Sequence, residues 1–173
     1  MLIALAVLLF AVAVVLILAA MRPDQFSVSR KISVRAAPEK IFLMINDFHR
    51  WVDWSPYEKI DADLKRAYGG AASGVGAAYT WEGQKTGQGS MDIVESVPPS
   101  RIAIKLEFYK PVRASNIATF ELAPKGDSTE VTWTMSGPTP YLFKIVHVFI
   151  DMDRMVGKDF ETGLANLKGL AER

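Results

Sequence analysis

The chain has 173 residues, 50% hydrophobic and 23% charged, with a formal net charge of +1 and no cysteine. Near-neutral charge without a basic cluster leaves no electrostatic footprint for nucleic acid, and the missing thiols exclude disulfides, thiolate metal sites and a cysteine nucleophile. With the wholly apolar first 21 residues set aside, the rest is about 43% apolar and about 26% charged, the balance of one globular domain with its own core.

Leu2 to Met21 is an unbroken run of twenty apolar residues. As a helix it would extend roughly 30 Å, the thickness of a bilayer's hydrocarbon core. A cleaved signal peptide is the competing reading, and it calls for a basic leader, an apolar core of about 7 to 15 residues and a small-x-small cleavage site. None of the three is present, so residues 2–21 are read as an uncleaved transmembrane anchor, residues 22–25 as a short linker and residues 26–173 as one domain. Arg22, Arg30, Lys31, Arg35 and Lys40 follow the span and no basic residue precedes it. By the positive-inside rule the protein is a single-pass cell-membrane protein with its domain in the cytoplasm.

Phe26, Val28, Ile32 and Val34 alternate with Ser27, Ser29, Lys31, Ser33 and Arg35, which predicts a half-buried strand. Ala37-Pro38-Glu39 opens a helix whose apolar stripe is Ile41, Phe42, Ile45 and Phe48. Trp51, Trp54, Pro56 and Tyr57 form a compact aromatic stretch that reads as a turn or short helix. After Gly69-Gly70 the period changes to two, through Ala77–Trp81, Met91–Ile93, Ile102–Phe108, Ala118–Leu122 and Val131–Met135, with turns at Glu82-Gly83, Pro98-Pro99, Lys110-Pro111 and Lys125-Gly126-Asp127. Short connections between such strands make an antiparallel meander with one apolar face. Pro140 to Ile150 is almost wholly apolar, broken by Lys144 and His147, and reads as a helix, a cover over the core or a surface touching the bilayer. Met152, Val156, Phe160, Leu164, Leu167 and Ala171 then recur at helical spacing, with Gly157, Gly163 and Gly169 marking close packing or a bend.

Strand, helix, about six antiparallel strands and a long amphipathic helix give an α+β class. Several segments, in this order, resemble the SRPBCC superfamily, the START-like or polyketide cyclase/dehydrase and lipid-transport-like proteins. They are Val34 to Phe42, Phe48 to Pro56, Gly74-Val-Gly76 through Trp81, Gly87 to Met91, Thr129 to Trp133, and Asp151 through Leu167. The resemblance implies a helix-grip fold, in which a curved antiparallel sheet wraps a long C-terminal helix around a hydrophobic pocket. It implies a lipid or other hydrophobic small molecule as partner, no cofactor, and no shared catalytic motif to carry over.

Tyr79, Trp81, Met91, Phe108, Phe120, Trp133 and Met135 share the inward phase of their strands, and Trp51, Trp54, Met152 and Met155 lie on the elements that would close the grip. Together they are the candidate ligand cavity, since aromatic and methionine side chains suit an adaptable apolar pocket. The same residues would also serve as solid core. Arg30 and Glu95 fall on the inward phase and are the candidate polar groups, to orient a ligand's head or pair with each other; at strand ends they would reach solvent instead. His49 and His147, the only histidines, are too few for a metal site, and His147 with Lys144 reads as the polar edge of an apolar helix. Gly74-Val-Gly76 leads into a strand, so it is a turn rather than a phosphate loop.

Three functions fit: a tethered binding module, a cyclase- or dehydratase-type enzyme drawing proton-transfer groups from Tyr79, Glu95, Arg30 or His49, and an interaction domain with a vestigial pocket. Two or more convergent, partnered polar groups in the cavity would favour the enzyme, an all-apolar cavity binding, and a filled one interaction.

Overall fold

A computed structural model describes residues 2–173. Helix α1 (Leu2–Ala20) comes first, then strand β1 (Gln25–Val34), helix α2 (Pro38–Ile45), a 3-10 turn (Phe48–Arg50), helix α3 (Trp51–Trp54) and a second 3-10 turn (Pro56–Lys59). Six strands follow, β2 (Lys65–Gly70), β3 (Ala77–Gly83), β4 (Gly87–Val97), β5 (Arg101–Lys110), β6 (Ala114–Lys125) and β7 (Ser128–Pro138), and two helices close the chain, α4 (Tyr141–Phe149) and α5 (Met152–Ala171). All strand pairs are antiparallel in one seven-stranded sheet ordered β1-β7-β6-β5-β4-β3-β2. This is the α+β helix-grip architecture.

Two helices start on clear sequence signals. Pro38 supplies a fixed φ at the first turn of α2, with Glu39 beside the positive end of the helix dipole. The Asp151 carboxylate accepts from the Arg154 N–H at the start of α5. Val156, Phe160, Leu164, Leu167 and Ala171 then recur at steps of three or four and are buried against the concave face of the sheet. Full burial of a side chain such as Phe160 contributes about 1.5–3 kcal/mol.

The edge strand β1 is sewn to α5 along its length. Arg30 reaches across α5 to Asp153 (2.9 Å) and Glu161 (2.8 Å), Lys168 donates to the Ser33 carbonyl (2.9 Å), and the Arg35 N–H donates to Glu172 (2.7 Å). Arg30 lies over Gly157, midway between its two carboxylates, and a β-carbon there would overlap its guanidinium. One interrupting glycine of the C-terminal helix is thus the seat of a cation.

Strand β2 departs from the sequence reading, which began the sheet after Gly69-Gly70. It contains those glycines, is exposed at every residue and pairs only with β3. An edge strand that buries neither face has no alternation to read. Gly74 and Gly76 sit in the β2–β3 turn with positive φ, as turn residues do.

Among the described residues one helix, α1, is long and apolar enough to cross a membrane, with a mean hydropathy of 3.2 over Ile3–Ala20 and nearly all of that window exposed. It packs against α4, where the Tyr141 hydroxyl donates to the Leu16 carbonyl at 2.9 Å.

Candidate functional site

Between the concave face of the sheet, the aromatic turns after α2, and α4 with the first half of α5 lies a cavity of about 590 Å³. That is within the range of small-molecule sites, roughly 300–1,000 Å³. Of the eleven residues expected there, nine line it: Trp51, Tyr79, Trp81, Met91, Phe108, Trp133, Met135, Met152 and Met155. Trp54 and Phe120 do not. Both are fully buried one layer behind the wall, edge-to-face with each other at 6.0 Å, and Phe120 stacks on Trp133 at 4.9 Å.

The wall is held rigid by local chemistry. The Trp51 indole donates to the Ile45 carbonyl (2.9 Å) and that of Trp54 to the Met44 carbonyl (3.2 Å), so both satisfy the end of α2. Asn166 on α5 donates to the Trp54 carbonyl (3.0 Å). Trp133 lies flat on Phe160, ring centroids 4.0 Å apart and planes within 7°. Its indole N–H and the Thr139 hydroxyl are buried without hydrogen-bond partners among the described residues, and both residues line the cavity.

Neither expected polar group lines the cavity. Arg30 keeps its inward phase opposite Trp133, yet the space it faces is filled by α5, where Asp153 and Glu161 consume its charge. Glu95 is turned away by a register shift in β4: Ile93 pairs with Ile104, whereas Glu95 pairs with Ala103, one residue out of phase. A bulge of one residue sends everything after it to the other face. Glu95 therefore sits on the convex side and bonds Arg101, which also pairs with Glu121. Arg30 and Glu95 do not meet. His49 is likewise outside the cavity, stacked on Tyr68 at 4.1 Å and bonded to Asp47.

The polar groups that do line the cavity were not among those expected, apart from Tyr79. Its hydroxyl donates to the buried carboxylate of Glu58 at 2.6 Å, and Arg66 binds the same carboxylate from behind. Burial and the adjacent Glu58 push the Tyr79 hydroxyl far above its ordinary value, so its proton stays. Burial, with the charge of Asp159 and the bond to it, does the same to Tyr57. Asp159 follows Met152 and Met155 at helical spacing, a signal the sequence contained. Glu58 and Tyr57 lie in a 3-10 turn, which has no period to read.

His147 also lines the cavity, its imidazole held below the usual value by burial and then by Arg22. Lys144 departs from the reading as a polar edge: it is buried, and its ammonium bonds Asp24 before β1.

The mouth is at one end of the sheet. Lys85 and Thr86 from the β3–β4 turn, Arg113 to Asn116 after the β5–β6 turn, Pro138 to Pro140 at the end of β7, and Phe143 and His147 of α4 are all lining residues. The register of Gln88 with Lys110 and of Gln25 with Pro138 puts these turns together, beside the point where α1 hands over to β1.

Residues 25–172 match the family described as polyketide cyclase / dehydrase and lipid transport. Solved structures share the fold at low identity. One is a protein from Chromobacterium violaceum (17% identity, TM-score 0.60, covering 88% of this chain and 99% of that one). A second, from Nitrosospira multiformis, is 20% identical with a TM-score of 0.60 over 84% of this chain and 96% of its own. DynU16, from the dynemicin biosynthetic locus, is 16% identical with a TM-score of 0.60 over 87% of this chain and 48% of its own. No curated protein matches the sequence.

Proposed function

The chain belongs to the polyketide cyclase / dehydrase and lipid transport family, and on that premise we propose that it is a membrane-anchored binding domain that holds a lipid or other hydrophobic small molecule in its internal cavity. The observation that carries this is the cavity itself: about 590 Å³ of space walled largely by tryptophan, phenylalanine and methionine beside a buried hydrophobic core. Empty apolar space costs stability, because its lining forfeits contacts. A ligand removes that cost. The helix α1 serves as the anchor, and the lysines and arginines that follow it support a cytoplasmic domain.

A second reading has one observation in its favour. Tyr79 hydrogen-bonded to Glu58, with Tyr57 and Asp159 also lining the cavity, brings convergent polar groups to it, as an enzyme of the cyclase or dehydratase type would need.

One experiment separates the two. The full chain, extracted in mild detergent, is analysed by native mass spectrometry and titrated with cis-parinaric acid, which quenches nearby tryptophans by energy transfer. Binding predicts a saturable signal, a co-purifying apolar molecule, and loss of both in Ala114→Phe, which adds a ring to the cavity wall, with the thermal midpoint kept. If Tyr57→Phe co-purifies with a different molecule from wild type, the enzyme reading replaces binding; no saturation and no adduct would sink both.

A further inference from the structure

Helix α4 has two apolar faces and the chain covers only one. Phe143 and His147 point into the cavity mouth and Lys144 is buried on Asp24, whereas Leu142, Val146 and Phe149 share the opposite face at helical spacing and are exposed, Leu142 and Phe149 each to 72%, as is Ile150 just past the helix end. An exposed apolar stripe of this kind marks an interaction surface.

What covers it follows from where α1 places it. Tyr141, the first residue of α4, bonds the carbonyl of Leu16, four residues before the end of α1. At about 1.5 Å per residue, that is roughly 6 Å inside the apolar span. Amphipathic helices that lie in a bilayer surface bury their apolar face by about 5–10 Å, and tyrosine is enriched at that level. The rim beside α4 carries the matching charge: Arg22, Lys85, Lys110 and Arg113 make no ion pair among the described residues, and Val112 is exposed between the last two.

We infer that α4 and the rim of the cavity mouth are a membrane-docking face, seated at the boundary between headgroups and acyl chains, so that the cavity opens into lipid rather than into water. The inference rests on the reading of the chain as an anchored hydrophobic-ligand binder and adds the route by which the ligand enters. Phe143 and His147 are then the inner side of a flap whose outer side is solvated by lipid. An apolar molecule can pass beneath α4 without crossing water.

The absence of native cysteine makes the test direct. Single cysteines at Leu142, Phe149 and Val112, and at Asp127 in the hairpin at the far end of the sheet, are spin-labelled in the full chain reconstituted in phosphatidylcholine/phosphatidylglycerol nanodiscs. Collision rates with oxygen and with a water-soluble nickel chelate are then read by electron paramagnetic resonance. Labels at 142 and 149 are expected to meet oxygen and exclude nickel several-fold relative to 127, with 112 between them. Labels at 142 and 149 as open to nickel as 127 would overturn the inference. So would dipolar broadening showing that a second copy of the chain covers the face. The labelled proteins are titrated with cis-parinaric acid in parallel: saturable binding with water-exposed labels defeats the docking face alone, whereas its absence defeats the binding reading.

Discussion

Trp133 is the floor of the cavity, and what lets α5 approach it is the missing side chain of Gly163. A β-carbon there would stand 2.8 Å from Trp133 Cζ3 and 3.1 Å from Pro56 Cδ, both on rigid rings, and Trp133 is already pinned between Phe120 and Phe160. Gly169, on the same helix, has nothing within 4 Å of its added carbon. The two glycines are indistinguishable in the sequence, because each is only an interruption of one helical pattern. Their alanine variants should move in opposite directions. Gly169→Ala should gain about 0.5–1 kcal/mol of helix propensity, while in Gly163→Ala overpacking of about 1–3 kcal/mol outweighs that gain, a net loss of up to about 2.5 kcal/mol. Chemical denaturation of the detergent-solubilised chain, followed by tryptophan fluorescence, measures both. Shifts of the same sign would contradict this packing. The aromatic cavity wall was legible because inward phase is a property of alternation; Tyr57, Glu58 and Arg66 were not, because a 3-10 turn and an edge strand carry no alternation.

Among the elements, the hairpin β3–β4 shows how the mouth is held. Asp61, in the connection before β2, reaches into its turn and accepts from the N–H of Lys85 (3.0 Å) and from the N–H and hydroxyl of Thr86 (2.8 and 2.7 Å). Burial alone would raise the Asp61 carboxyl, but these donors and the Lys85 charge outweigh it and hold the group below the ordinary 3.8. A carboxyl depressed in the folded state contributes its stability fully above its unfolded value and loses it as pH falls through the folded one. The turn should therefore be pinned at neutral pH and loosen only below 3.8. In Asp61→Asn the hydrogen-exchange protection of the Lys85 and Thr86 amides should be several-fold lower at neutral pH and insensitive to acid. Equal protection in both proteins at pH 7 would remove Asp61 from this role. Spacing could not reveal this contact, just as it could not reveal the β4 bulge that turns Glu95 outward: both depend on which backbone groups pair across the sheet. The antiparallel run from β3 to β7, the Pro-initiated α2 and the full extent of α5 were readable, since each is carried by a local period with a cap or turn at its end; β2 and the pairing of β1 with β7 were not.

At the scale of the whole molecule, the short connection between α1 and the domain limits how far the cavity mouth can lie from α1. Four residues separate α1 from β1, so five steps of no more than about 3.6 Å keep the start of β1 within roughly 18 Å of the end of α1. Because β1 begins at the mouth end of an antiparallel sheet, this tether, with α1 inserted as proposed, would hold the mouth rather than any other part of the domain against the bilayer. A flexible Gly/Ser insertion of twenty residues between Met21 and Arg22 should relax it while leaving the cavity intact. The lengthened tether lets the domain wander by roughly 25 Å, and effective concentration falls with about the −3/2 power of linker length. Uptake of cis-parinaric acid from vesicles should slow by about tenfold, and its affinity when delivered from micelles should not change. Stopped-flow tryptophan quenching reads the first and equilibrium titration the second. An unchanged rate would mean that the ligand reaches the cavity through water, and a changed affinity would mean that α1 contributes to the wall of the cavity itself.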